Sequence, residues 1–184
     1  MMQRNEALTL LKIYVTSKSL INHCCATAAV MKMAAGYLGE DKEMWETIGI
    51  LHDIDFEQVG EDMTRHGIEA ELILASHDID PALITIIREH NHLLHEGAYE
   101  TPVEITLQAS DSISGLVIAC ALVKGGKISD VTPKTVQKKM KNKGFAAGCE
   151  RDRIRLIESL IPLPEFYALA IKGITEIREE LGLI

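Results

Sequence analysis

Residues 26–35 read ATAAVMKMAA, small or apolar throughout except for Thr27 and Lys32. On a helical period this stretch has almost no polar face, and such a helix is stable only when other elements surround it. One segment therefore demands several packing partners. Helical periodicity supplies them along nearly the whole chain, and no stretch shows the sustained alternation of a half-buried strand. The fold class expected is all-α, with roughly eight or nine helices.

A first helix is expected over 5–16, and the Ala-rich one from Ser19 to Tyr37 or Leu38, with Gly39 as its stop. A third, over 42–54, carries apolar spacing through Trp45, Ile48, Ile50 and Leu51, and a fourth covers 64–76. Asp80-Pro81 opens a fifth as cap and first helical residue, running to about Asn91. Residues 92–100 read as a loop. Thr101-Pro102-Val103-Glu104 is a capping box, opening a long helix to Val123. Shorter helices follow over 132–142 and 149–161, and Pro164 opens a last one to Leu181, before Gly182.

With 184 residues, 47% of them hydrophobic, the chain fits one sizeable core rather than two. There is no linker-like run and no internal repeat. The longest apolar run near the middle, 116–123, falls far short of the ~20 residues a membrane span needs. The start, MMQRNEALTLLKIYV, carries Glu6 and lacks a small-residue cleavage site, which argues against a signal peptide. Cys24, Cys25, Cys120 and Cys149 show no zinc-type spacing, and a reduced, cytoplasmic setting is expected. The net charge of −8 excludes general nucleic-acid binding as an expectation. Residues 124–155, however, hold ten Lys/Arg against three Asp/Glu. They form either a solvated amphipathic surface or, through residues such as Lys138, Lys139, Lys141, Lys143 and Arg151, a cover over a site for an anionic substrate.

The tetrapeptide HDID occurs twice, at 52–55 and 77–80. The second copy reads as local structure: His77 at a helix carboxyl end, Asp80 as the next cap. The first follows TIGIL on an apolar helix, which carries His52 and Asp53 inward. Burying an imidazole and a carboxylate is costly unless something compensates. The same cost recurs at His23, within the Ala-rich helix, and at Asp111, the one charged residue after Glu104 in a long apolar helix. A metal ion meets all of these costs together.

The series His23, His52-Asp53, Asp111 resembles the H…HD…D signature of the HD-domain superfamily of metal-dependent phosphohydrolases, over roughly residues 20–125. The branch described by an HDIG motif looks nearest, although Asp55 stands where that motif has Gly. The resemblance implies an HD-type helical bundle over 1–184, with residues 126–184 as a helical extension. It also implies a metal held by His23, His52, Asp53 and Asp111. Two further histidines of two-metal members are matched by His66, in Arg65-His66-Gly67, and by His90, with His92 as its competitor. Asp53 would then bridge the two ions. Independently, two divalent cations ~3.5–4 Å apart repel and need a shared carboxylate between them. A mixed nitrogen and oxygen set suits iron, manganese, nickel, cobalt or zinc. His77 and His95 are left as structural or exposed.

The activity implied is phosphoester hydrolysis of a small anionic, phosphorylated substrate by metal-activated water. Asp53 belongs to that centre, Asp55 and Glu57 are candidates to orient water or donate a proton, and Arg88, Lys138, Lys141 and Arg151 are candidates to grip phosphate. Two other readings share the pattern: a di-iron oxygenase of the same superfamily, and a non-catalytic metal-binding signalling module. Dimerisation through an apolar helix face is compatible with the sequence.

Overall fold

The computed structural model of the chain describes residues 2–60 and 62–184, which form helices and turns and no strand among them. The order is α1 (Arg4–Tyr14), α2 (Lys18–Leu38), α3 (Lys42–Leu51), α4 (Phe56–Val59), α5 (Ile68–Ala75), α6 (Pro81–Glu89), α7 (Pro102–Leu122), α8 (Pro133–Met140), α9 (Arg151–Arg155) and α10 (Leu163–Glu176). Two 3-10 turns, Ile128–Asp130 and Leu156–Ser159, lie before α8 and after α9.

The Ala-rich α2 is the axis, packed against α3, α7 and α10. Its small side chains let a neighbour come close: a Cβ added to Gly49 of α3 would lie 2.5 Å from the Ala28 Cα. Ala26, Val30, Met31, Ala34 and Ala35 are wholly buried, as are Trp45, Ile48, Ile50 and Leu51 of α3. Each fully buried large side chain contributes about 1.5–3 kcal/mol. Glu46, also buried, closes the outer side of this seam by bonding Lys32 of α2 at 2.8 Å and Arg4 of α1 at 3.0 Å. The second axial helix, α7, has the length and apolarity to cross a membrane, but 72% of that apolar window is buried by the bundle. An all-round apolar helix in a core reads the same way.

The ends follow the expected chemistry. Ser17, Asp41, Asp80 and Thr101 cap α2, α3, α6 and α7 through side-chain oxygens. Gly39 ends α2 at φ 79°. Three boundaries differ from those expected. The third helix stops at Leu51 rather than near 54, because the His52 ring nitrogen Nδ1 donates to the Gly49 carbonyl at 2.9 Å. That carbonyl would otherwise receive the Asp53 N–H. Residues 63–67 form turns, and α5 starts only after Gly67. The last helix ends at Glu176 and continues as turns to Gly182, at φ 70°.

Candidate metal centre

Four elements converge on one point. His23 stands on α2, His52 at the end of α3 with Asp53 next to it, His90 at the end of α6, and Asp111 midway along α7. His66 enters from the turn before α5, next to Gly67 at φ 90°. No side chain fits at Gly67, since a Cβ there would lie 2.5 Å from the Arg88 carbonyl oxygen.

Asp53 is the centre of the arrangement. Its Oδ2 lies 3.6 Å from His23 Nε2 and 3.4 Å from His52 Nε2. Its Oδ1 lies 3.5 Å from His66 Nε2 and 3.4 Å from His90 Nε2. One carboxylate thus serves two pairs of imidazoles, one pair per oxygen. These separations are too long for good hydrogen bonds. Two donor atoms each ~2.1 Å from one ion at a tetrahedral angle would lie about 3.4 Å apart, which is the spacing of a shared cation. Asp111 joins the first group, with Oδ1 3.1 Å from His23 Nε2 and 4.0 Å from His52 Nε2.

The backbone sets the ring tautomers. A carbonyl only accepts, so Nδ1 of His52 carries the proton toward Gly49 O, and Nδ1 of His90 does so toward Ile87 O. In each neutral ring the Nε2 lone pair then faces Asp53. His66 Nδ1 is held at 2.9 Å by Asp55 Oδ1. Outer partners of this kind fix metal-binding histidines. Two observations call for a positive species between the rings. Among the described residues, His52 Nε2 is buried with no hydrogen-bond partner. His66 Nε2 and His90 Nε2 lie 3.1 Å apart, and two lone pairs at that distance repel unless a proton or a cation intervenes. The donor set fits a divalent transition metal at either group.

Electrostatics agree with the geometry. Burial alone would raise the Asp53 pKa, but His52, His90 and His23 hold its carboxyl well below the usual carboxylate range. Asp111, also pushed up by burial, is pulled below its ordinary value by its bond to His23 and by the charge of His52. Burial lowers the His52 pKa. At His23 and His90 burial is outweighed, by Asp111 and by Asp53 respectively, and both pKa values rise. Both carboxylates are therefore held in their ionised form.

The other expected residues are placed differently. Asp55 is fully buried and does not line the cavity: Oδ1 holds His66, and Oδ2 accepts from Gly67 N at 2.7 Å and Ala70 N at 3.0 Å. With both oxygens taken, it orients His66 rather than handing a proton to a substrate. Glu57 bonds Thr16 N and Oγ1 at 2.9 and 3.0 Å, and also Ser17 N, so it ties down the turn between α1 and α2. Arg88 pairs with Glu71 at 3.0 Å, and Lys138 and Lys141 are exposed; none of the three lines the cavity. Arg151 is buried, and its guanidinium donates to the carbonyls of Asn142, Phe145, Ala146 and Cys149, where it shapes a loop. His92 is exposed, while His90 is buried and turned inward.

Three contributors escape a sequence reading. Asn91 donates to the carbonyls of Met63 and His66, and Gln108 of α7 donates to the His90 carbonyl at 2.9 Å, so both histidines sit on a braced backbone. Arg153 reaches the cavity beside Asp111. The only available signal for it was its place in the basic segment. The cavity itself measures about 310 Å³, with Leu20, Phe56 and Met63 as its apolar walls.

Comparison with known proteins gives one match: the family model described as HD domain covers residues 20–116, just over half of the chain. No curated protein and no solved structure matches.

Proposed function

The chain belongs to the HD-domain family, and from that premise we propose that it is a metal-dependent phosphohydrolase cleaving a small phosphate ester or nucleotide. In this reading His23, His52, Asp53 and Asp111 would hold one divalent ion, and Asp53, His66 and His90 would hold a second. The observation that carries it is the division of Asp53, with Oδ2 toward His23 and His52 and Oδ1 toward His66 and His90. Bound there, divalent cations acidify water toward neutral pH and neutralise charge on a phosphoryl group.

The protein's own residues supply position. His52 and His90 are aimed by backbone carbonyls, and His66 by Asp55. Six donors with two negative charges leave an excess of positive charge once two divalent ions are present, which favours an anionic substrate. The cavity is small for a ligand site, where about 300–1,000 Å³ is usual, and this supports a compact substrate over a polymer.

The test is metal content per chain in protein purified without oxygen or chelator, beside His66→Ala and His90→Ala, together with phosphate release from a phosphoester panel. Near two ions, falling toward one in both variants, and phosphate release are expected. One ion, unchanged in both variants, would remove His66 and His90 from the site. Oxygen consumption in place of phosphate release would overturn the hydrolase reading in favour of an oxygenase.

A further inference from the structure

Among the described residues that line the cavity, Arg153 is the one permanent cation. It comes from α9, outside the part of the chain that the HD domain matches. Asp111 is shared between it and the metal-ligand cluster: Oδ1 faces His23 at 3.1 Å, and Oδ2 faces Arg153 Nη1 at 3.2 Å. Arg153 Nη2 reaches the His90 carbonyl at 3.3 Å, and Nε lies 3.6 Å from Glu150. All three are long beside the roughly 2.7–2.9 Å of a strong charge-assisted bond. Each Nη nitrogen also keeps a second N–H. The guanidinium is thus placed at the site without being saturated.

Its placement is built in. Arg151, two residues earlier, is buried among the carbonyls of the 142–149 loop and fixes the start of α9. Arg151 anchors the segment from the other side of α9, so Arg153 is presented to the cavity with little freedom to lose, which is what binding an anion tightly requires. A planar fork matches two phosphoryl oxygens at once.

We propose that Arg153 is the anion-binding residue of this site, gripping the non-bridging oxygens of a compact phosphate monoester held between α9 and the metal-ligand cluster. The proposal rests on the phosphohydrolase reading. The experiment is calorimetric titration of the metal-loaded protein with inorganic phosphate, comparing wild type, Arg153→Met and Arg153→Lys, with metal content and melting temperature measured for each. Full metal in all three, a phosphate affinity about 10- to 100-fold weaker in Arg153→Met, and a partial loss in Arg153→Lys are expected. Full metal with unchanged phosphate affinity in Arg153→Met overturns the assignment and leaves the metal centre standing. Loss of metal in Arg153→Met means that Arg153 acts only through Asp111, which also overturns it. If Arg153→Met does not fold, Arg153→Lys decides: a severalfold weaker phosphate affinity at full metal supports the assignment, and wild-type affinity overturns it. A wild type that takes up no metal defeats the phosphohydrolase reading itself, and the assignment falls with it.

Discussion

The two HDID tetrapeptides, identical in sequence, occupy opposite environments. In the first, His52 is wholly buried and Asp53 nearly so, and Asp55 is sealed behind His66. In the second, His77 is exposed and bonds the Tyr14 hydroxyl at 2.9 Å, Asp78 takes a left-handed φ of 53°, and Asp80 caps α6 through Ala82 N. The difference comes from what each copy follows. The first ends a helix whose last residues, Ile48, Ile50 and Leu51, are core on every side; the second ends α5, where Leu72 and Ala75 face solvent. A motif becomes a site when its helix drives it into a place where its polar groups need one another.

Position-by-position substitution tests that account. At the second position, Asp53→Asn should remove both ions and abolish phosphate release, whereas Asp78→Asn should change stability by no more than ~0.5 kcal/mol, since Asn tolerates a positive φ. At the first position, His52→Ala should cost more than the roughly 10- to 100-fold typical of a residue behind a ligand, while His77→Ala loses one exposed hydrogen bond, under about 1 kcal/mol, and keeps full activity. Equal activity loss in both members of either pair would break the comparison. At the fourth position, Asp55→Asn should weaken metal binding about 10- to 100-fold, read as a shift in the metal titration, with the His66 side affected first. Asp80→Ala should lower stability by ~1 kcal/mol through loss of the cap and leave the metal titration where it was.

The fold and the cluster of His23, His52, Asp53 and Asp111 were legible because both are written in local pattern. The Ala-rich α2 could only be central, and a His or Asp is conspicuous in an apolar run, as at His23 and Asp111, which the structure leaves half-buried at the cavity. His66 and His90 were found through resemblance. The residues that brace and complete the site were not legible, because their roles depend on where loops bring them. Arg151 and Arg153 stand two residues apart in one basic segment, yet one is buried in carbonyls and the other faces the cavity. Two residues apart on α9, they point to opposite sides of the helix, and the 142–149 loop covers one of those sides. Asp55 reads in the sequence as a candidate to orient water or donate a proton, and its burial follows from the chain returning over it at 66–70, where His66, Gly67 N and Ala70 N all reach its carboxylate.

Glu57, on the flank of the first copy, offers the finest distinction. As a proton donor to substrate it would be indispensable at neutral pH. As a tie between α4 and the α1–α2 turn, it should matter to stability alone. Its carboxyl is held below the ordinary carboxylate pKa by the backbone N–H groups of Thr16 and Ser17. A group with a depressed pKa in the folded state stabilises fully above its unfolded value, near 4.3, and loses that contribution as pH falls through the lower folded value. Thermal unfolding of wild type and Glu57→Gln from neutral pH downward should therefore show a small deficit for the variant at pH 7 that shrinks below about pH 4.5. Phosphate release at neutral pH should stay within severalfold of wild type. A collapse of activity with unchanged stability would instead return Glu57 to the reaction, and the flank of the first copy, not only its four residues, would then belong to the site.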